Sequence, residues 1–479
     1  MKLIARRAAV SLAALSAFSA FAENAQSLHP LARGGFVPQR VLVKYKSAAL
    51  QREVLADMKD STRLFAAGRE MGAVQRLRAL SPRTDLIRFS TSSRVQDVVA
   101  ELQADSRVEW AQPDYYLSLF ANPEKSATRS ETFRSLDAGF SGLMDASADV
   151  FARVASSEPS APVNSNPVFD APTTGAPEGQ GDVMKNDLWG MLRVGADRAW
   201  SAAHRGSRDI IVADIDTGVD YNHEDLRHNI WSGVGYDFAD KDAFPWDTHS
   251  HGTHTSGTIA ATGGNGIGVS GVAQRASIMA VRFIGSNGYG TTSDAILSID
   301  YAVKNGARVL SNSWGGAPEE DDAENVALLE SIQRADAADV LFVAAAGNDG
   351  KDNDQRPVYP AAMKVPNIIT VASTNDADRR SFFSNYGATT VHVGAPGSNI
   401  LSTVPGNKYA KNSGTSMACP HVAGLATLIL SERPDLSAHA VKQIIMESVS
   451  PLAALQGITV TGGIINTSAA LERARTFGN

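Results

Sequence analysis

Ile210-Ile211-Val212-Ala213-Asp214-Ile215-Asp216-Thr217-Gly218 sets a mostly apolar, β-branched run directly before an acid and a glycine. A short run of this kind reads as a strand buried on both faces, as strands of a parallel sheet are. The glycine lets the chain turn sharply away at the strand's end. Outward from it the pattern recurs, with strand-like runs at 278–283, 308–311, 340–346, 367–371 and 391–393 and helical stretches at 292–305, 323–338 and 418–432. That alternation predicts an α/β domain over 186–479, a doubly wound, mostly parallel sheet with helices on both faces. Ligands of such sheets bind outside the carboxyl ends of the strands. Asp216 stands at one of those ends.

Toward the N-terminus the texture differs. A strand at 40–45, a helical stretch at 48–69, a strand at 85–90, a helix at 95–104 and a strand at 108–111 predict a small α+β domain over 38–120. Residues 121–185 read as a linker rich in Ser, Ala, Pro and Gly, with one candidate helix at 133–154. Lys2, Arg6 and Arg7 precede an apolar stretch at 8–21, and Ala20-Phe21-Ala22 offers a small-x-small cleavage site. Residues 1–22 therefore read as a signal peptide, which implies a secreted protein, extracellular or periplasmic.

Composition narrows the function. At about 150 residues per domain, 479 residues point to more than one unit. A net charge of −7 supplies no positive field for nucleic acid. No later segment is long and apolar enough to suggest a membrane span. The single cysteine, Cys419, excludes an intrachain disulfide and a Cys-based zinc site.

Two further residues have the chemistry to join Asp216. His251 opens a small-residue helix in His249-Ser250-His251-Gly252-Thr253-His254, and Ser416 opens another in Gly414-Thr415-Ser416-Met417-Ala418. A hydroxyl at a helix N-terminus lies among unpaired backbone N–H groups, which favour charge developing on oxygen. Serine is a weak nucleophile that needs a base to take its proton and an acid to hold that base in one tautomer. Ser416, His251 and Asp216 fill these three roles.

The chain order Asp, His, Ser is the subtilisin order. Asp216-Thr217-Gly218, His251-Gly252-Thr253-His254 and the run from Gly414-Thr415-Ser416 through Val422-Ala423-Gly424 resemble the three signatures of the subtilisin-like serine proteases, the subtilases. The resemblance implies a serine endopeptidase, and Asn348 matches the family's oxyanion asparagine. Gly288-Tyr289-Gly290 and Ser313-Trp314-Gly315-Gly316 match the segments that flank an extended substrate. Through Val41-Leu42-Val43-Lys44-Tyr45 and Val108-Glu109-Trp110-Ala111, the N-terminal domain resembles the inhibitory propeptide. It would assist folding and then block the cleft.

Gly263-Gly264-Asn265-Gly266-Ile267-Gly268-Val269 resembles a calcium loop in which Gly263, Asn265, Ile267 and Val269 supply oxygens and Asp225 the carboxylate. Asp240, Asp242 and Asp247 resemble a second, weaker calcium site or form a solvated acidic turn. Val358 stands where many relatives have glycine at the base of the pocket for the side chain before the scissile bond. It implies a shallow pocket preferring Leu, Met or Ala over Phe and Tyr, unless Val358 points into the core.

The expected protein is an exported monomeric endopeptidase, stabilised by calcium and made as a self-processed zymogen with more than one cut in the linker. Its partners would be peptide or protein substrates and its own propeptide, with neither nucleic acid nor membrane. The alternative is a catalytically silent peptide-binding scaffold of the same fold.

Overall fold

The structure, a computed structural model, describes residues 35–60, 65–66, 69–70, 74–89, 94–120, 182–316 and 325–478. The signal segment, the candidate helix at 133–154 and the linker up to 181 lie outside the described residues.

In the N-terminal domain β1 (Phe36–Tyr45) pairs antiparallel with β3 (Thr84–Phe89) and β4 (Val108–Leu119), and β2 (Val74–Ser81) extends the sheet beyond β3. Side chains alternate across a strand, and β1 is apolar on both faces for a reason. Val41, Val43 and Tyr45 pack with Ile87, Phe89 and the helices α1 (Ala48–Asp60) and α2 (Val95–Ala104). Leu42, with Leu80 and Leu86, packs instead on Ile296 and Ala327 of the larger domain. One face is the domain's own core and the other is a docking surface.

Sequence periodicity ended β4 at 111 because a proline follows. The strand runs on to Leu119, with Pro113 opposite Val41 at a register shift in β1 that absorbs the missing N–H. Its far half is held by the larger domain rather than by its own.

That larger domain has β5 (Gly206–Asp216), β6 (Ile230–Asp237), α3 (His251–Ala260), β7 (Arg275–Arg282), β8 (Tyr289–Thr291) and α4 (Thr292–Lys304). There follow β9 (Val309–Asn312), β10 (Trp314–Gly315), α5 (Val326–Ala337), β11 (Leu341–Ala345), β12 (Ile368–Thr374), β13 (Val393–Pro396) and α6 (Thr415–Glu432). The central sheet runs β13-β12-β11-β9-β5-β7-β6, all parallel, with two short C-terminal strands beyond β13. Val212, Ile278, Val309 and Val343 face α3 and α6 on one side. Ala213, Ile215, Met279, Val281 and Leu310 face α4 and α5 on the other. Strands buried on both faces explain why their sequences read as continuous apolar runs. Among the described residues no helix is long and apolar enough to cross a membrane.

Candidate active site

Asp216 ends β5, and Thr217 N donates to its Oδ1 at 2.7 Å. Gly218 has φ +96° and its backbone runs against Pro245 and Trp246, so the turn after the acid needs a residue without Cβ. His251 opens α3, with Nδ1 2.8 and 2.9 Å from the two oxygens of Asp216. A carboxylate accepts only, so Nδ1 carries the proton and Nε2 is the ring's basic nitrogen. Burial opposes the imidazolium. The charge and hydrogen bond of Asp216 outweigh burial and raise the His251 pKa above its ordinary value.

Asp247, expected as a metal ligand, anchors this turn. It accepts from Thr217 Oγ1, His249 N, Ser250 N, Thr253 N and Thr253 Oγ1 at 2.6–2.9 Å. Asp240 pairs with Arg282 instead, and Asp242 closes a local turn on Phe244 N. Among the described residues no three acidic or histidine side chains gather as a metal cluster. The second calcium site expected from Asp240, Asp242 and Asp247 is therefore not assembled. Backbone donors and an arginine have taken the oxygens.

Ser416 lies in the first turn of α6, which begins three residues earlier than periodicity suggested. Its Oγ donates to the Ser313 carbonyl at 3.2 Å, and Ser313 Oγ donates back to the Ser416 carbonyl at 3.0 Å. No hydrogen bond joins Ser416 to His251 among the described residues. Asn348 follows β11, and its Oδ1 accepts from Thr415 N at 2.9 Å and Thr415 Oγ1 at 2.8 Å. A backbone N–H can only donate, so the amide's orientation is fixed and Nδ2 faces Gly414, which precedes the Ser416 helix. Cys419 is buried, and burial pushes its thiol up to about 12, which removes it as a nucleophile.

The two substrate-flanking segments border β4. Tyr289 and Gly290 pair antiparallel with Ser118 and Leu117 on one side, and Leu119 N donates to the Gly288 carbonyl at 3.0 Å. On the other side Trp314 and Gly315 pair with Leu119 and Ser118. The N-terminal domain thus adds a strand to the larger domain, with main-chain bonds along both edges. Trp314 pairs with β4 through its backbone, and its side chain belongs to the same apolar cluster as Leu117. Its ring is buried against Phe283, and Nε1 donates to the Ile215 carbonyl at 2.8 Å.

Phe120 directly follows Leu119, the register partner of Trp314, and its ring lies against Gly315. A Cβ on Gly315 would lie 2.7 Å from the Phe120 ring and 2.7 Å from the Tyr359 carbonyl, so the glycine makes room for an aromatic group. Val358, beside Tyr359, is buried at 6% exposure.

The glycine loop draws two buried carboxylates. Asp225 accepts from Asn265 Nδ2 at 2.8 Å and Val269 N at 2.9 Å. Asp182 accepts from Gly264 N at 2.8 Å and Asn265 N at 3.2 Å. Asp182 falls within the linker expected over 121–185, since nothing local in the sequence ties it to a loop some eighty residues away. Gly263, Ile267 and Val269 belong to the same loop, and burial pushes the Asp225 carboxyl up.

Residues 207–478 match the model of the subtilase family, and residues 22–114 match that of the fervidolysin N-terminal prodomain. The chain is 42% identical over 244 residues to thermitase of Thermoactinomyces vulgaris, covering 51% of this chain and 82% of that protein. It is 36% identical over 285 residues to subtilisin DY of Bacillus licheniformis, covering 59% and 98%. It is 42% identical over 244 residues to a thermophilic serine proteinase of Bacillus sp. (strain AK1), of which it spans only 57%. With the sheet, the strand-end residues and the docked N-terminal domain, these matches establish that the chain belongs to the subtilase family of serine peptidases and carries a fervidolysin-like prodomain.

Proposed function

We propose that this peptidase is exported by residues 1–22, is made as a self-processed zymogen, and works as a monomeric endopeptidase through an acyl-enzyme on Ser416. The observation that carries the reading is the paired contact of Asp216 with Nδ1 of His251, which leaves Nε2 as the base. Nε2 takes the Ser416 proton as Oγ bonds to the substrate carbonyl carbon. Asn348 Nδ2 and the Ser416 N–H receive the oxyanion. The imidazolium then returns its proton to the leaving amine as the peptide bond breaks, and water repeats the sequence on the ester. Peptides or proteins are the partners on this reading, with neither nucleic acid nor membrane.

Domain limits of 38–120 for the prodomain and 186–479 for the catalytic domain fit the same reading. The first bond cut is the one after Phe120, which directly follows the Leu119–Trp314 pair at the end of β4. Further cuts then remove the linker. Intact mass and N-terminal sequencing over time should show a first new terminus at Ala121, and Phe120→Asp should slow that cut at least about tenfold. A first terminus elsewhere, indifferent to Phe120→Asp, would refute the assignment.

Asp182, Asp225, the Asn265 amide oxygen and loop carbonyls at 263, 267 and 269 form an all-oxygen set, which suits calcium. Two buried acids on one loop, with no arginine or lysine paired to either among the described residues, support that fit. The ion would be structural, holding Asp182 and the start of the catalytic domain to the loop. At a hundredfold excess over Kd it adds about 2.7 kcal/mol. Chelation should therefore lower Tm by several degrees and speed autolysis, and an unchanged Tm in chelator would remove calcium from the account.

A further inference from the structure

Asp214 lies within β5, fully buried and two residues before Asp216. Residues two apart on a strand share a face, so 214 and 216 point the same way. Thr255 follows His251 by four residues on α3, and residues four apart share a helix face. Two strand residues advance about 6.6–6.8 Å and four helical residues about 6 Å, so the two elements present matching rungs. His251 meets Asp216 at 2.8 Å on the outer rung. On the inner rung Thr255 Oγ1 donates to Asp214 Oδ2 at 2.8 Å, and Ser256 Oγ donates to the same oxygen at 2.7 Å.

This polar trio is set among apolar residues, with Val212 and Ile259 continuing the same two faces into the core. A buried carboxyl and two hydroxyls cost free energy that aliphatic side chains would not, unless they bond each other. In the observed alignment of α3 on β5 both hydroxyls reach Asp214, Thr255 Oγ1 also having the Gly252 carbonyl of its own helix at 3.0 Å, whereas an apolar contact tolerates sliding. Asp214 Oδ1 and the Oγ of Ser311, its register partner on β9, are both buried without a hydrogen-bond partner. The titratable groups around Asp214 are Asp216 on its own strand, His251 on α3 and Cys419 on α6. None among the described residues is a lysine or arginine.

We propose that Asp214 is a positioning residue for the His251–Asp216 pair, holding α3 in one alignment against β5 through the hydroxyls of Thr255 and Ser256. The proposal rests on that pair being the catalytic one. Burial, then the charge of Asp216, pushes the Asp214 carboxyl up to about 8, so it is mostly neutral at pH 7. As pH rises through that value it ionises and puts a second negative charge behind the imidazole.

The test compares Asp214→Leu, Thr255→Val with Ser256→Ala, and Asp214→Asn. It reads kcat and KM on a peptide, the rate of the first cut in the full chain, and Tm. A misplacement near 1 Å costs about 10²-fold, so Asp214→Leu and the double variant should lose about 10- to 100-fold in kcat with KM nearly unchanged. Asp214→Asn, which still accepts both hydroxyls and is neutral, should recover most of that loss at pH 7. A packing defect would not move the pH profile. Wild type should show a second inflection near pH 8 that Asp214→Asn lacks. The double variant leaves Asp214 in place and keeps the test if Asp214→Leu does not fold. Wild-type kcat in the folded variants, a loss confined to KM, or coincident pH profiles would overturn the proposal. His251→Ala in the same series separates the cases, because full activity there would fault the catalytic assignment and not Asp214.

Discussion

Ser416→Ala is expected to remove peptide hydrolysis almost entirely and to leave the prodomain covalently attached. In subtilisin, a member of the same family, loss of the serine or of the histidine alone costs about 2 × 10⁶ in kcat. The reason it applies is chemical: a base is useful only if a hydroxyl is there to give it a proton, and a serine hydroxyl is a weak nucleophile without a base. His251→Ala should thus lose nearly as much as Ser416→Ala, and the double variant hardly more. Additive losses would mean that the two act in separate steps. Because the His251 pKa is raised and the base must be neutral, kcat/KM of the wild type should fall as pH drops, with its midpoint above 6.5. A midpoint below 6.5 would contradict the charge arrangement behind the ring.

Asn348→Leu should lower kcat by about 10²–10³ with little change in KM, again a magnitude known from subtilisin. The amide donor acts on the oxyanion, which exists only past the ground state, so substrate binding is not its task. Leucine also strips Thr415 N and Oγ1 of their acceptor, and that loss belongs to stability. Thr415→Ala separates the two. It should cost about 0.5–1.5 kcal/mol of folding free energy and little kcat. If Thr415→Ala lost as much turnover as Asn348→Leu, Asn348 would be a helix anchor and not an oxyanion donor.

The three signature residues were readable from sequence because each depends on local structure. A buried strand followed by glycine marks Asp216, and small-residue helix starts mark His251 and Ser416. The helix Val95–Ala104 was readable end to end for the same reason, since its apolar spacing lies within one segment. Long-range partnerships left weaker marks. Asp240, Asp242 and Asp247 look like one acidic cluster over eight residues, yet Arg282 and the backbone of the His251 turn divide them.

Local pattern determined which residues face a core, because alternation and helical spacing are properties of one segment. Tertiary structure alone decided which core or edge they meet. The second half of β4 is a strand because Tyr289 and Gly315 stand on either side of it, and the Phe120 ring meets Gly315 because those edges set the register. Asp214 reads as a flaw in an apolar run until Thr255 and Ser256 are seen opposite it. Hydrogen-bond pairing between segments far apart in the chain depends on how two elements align. That alignment is chosen by packing of the whole domain, and no window of sequence contains it.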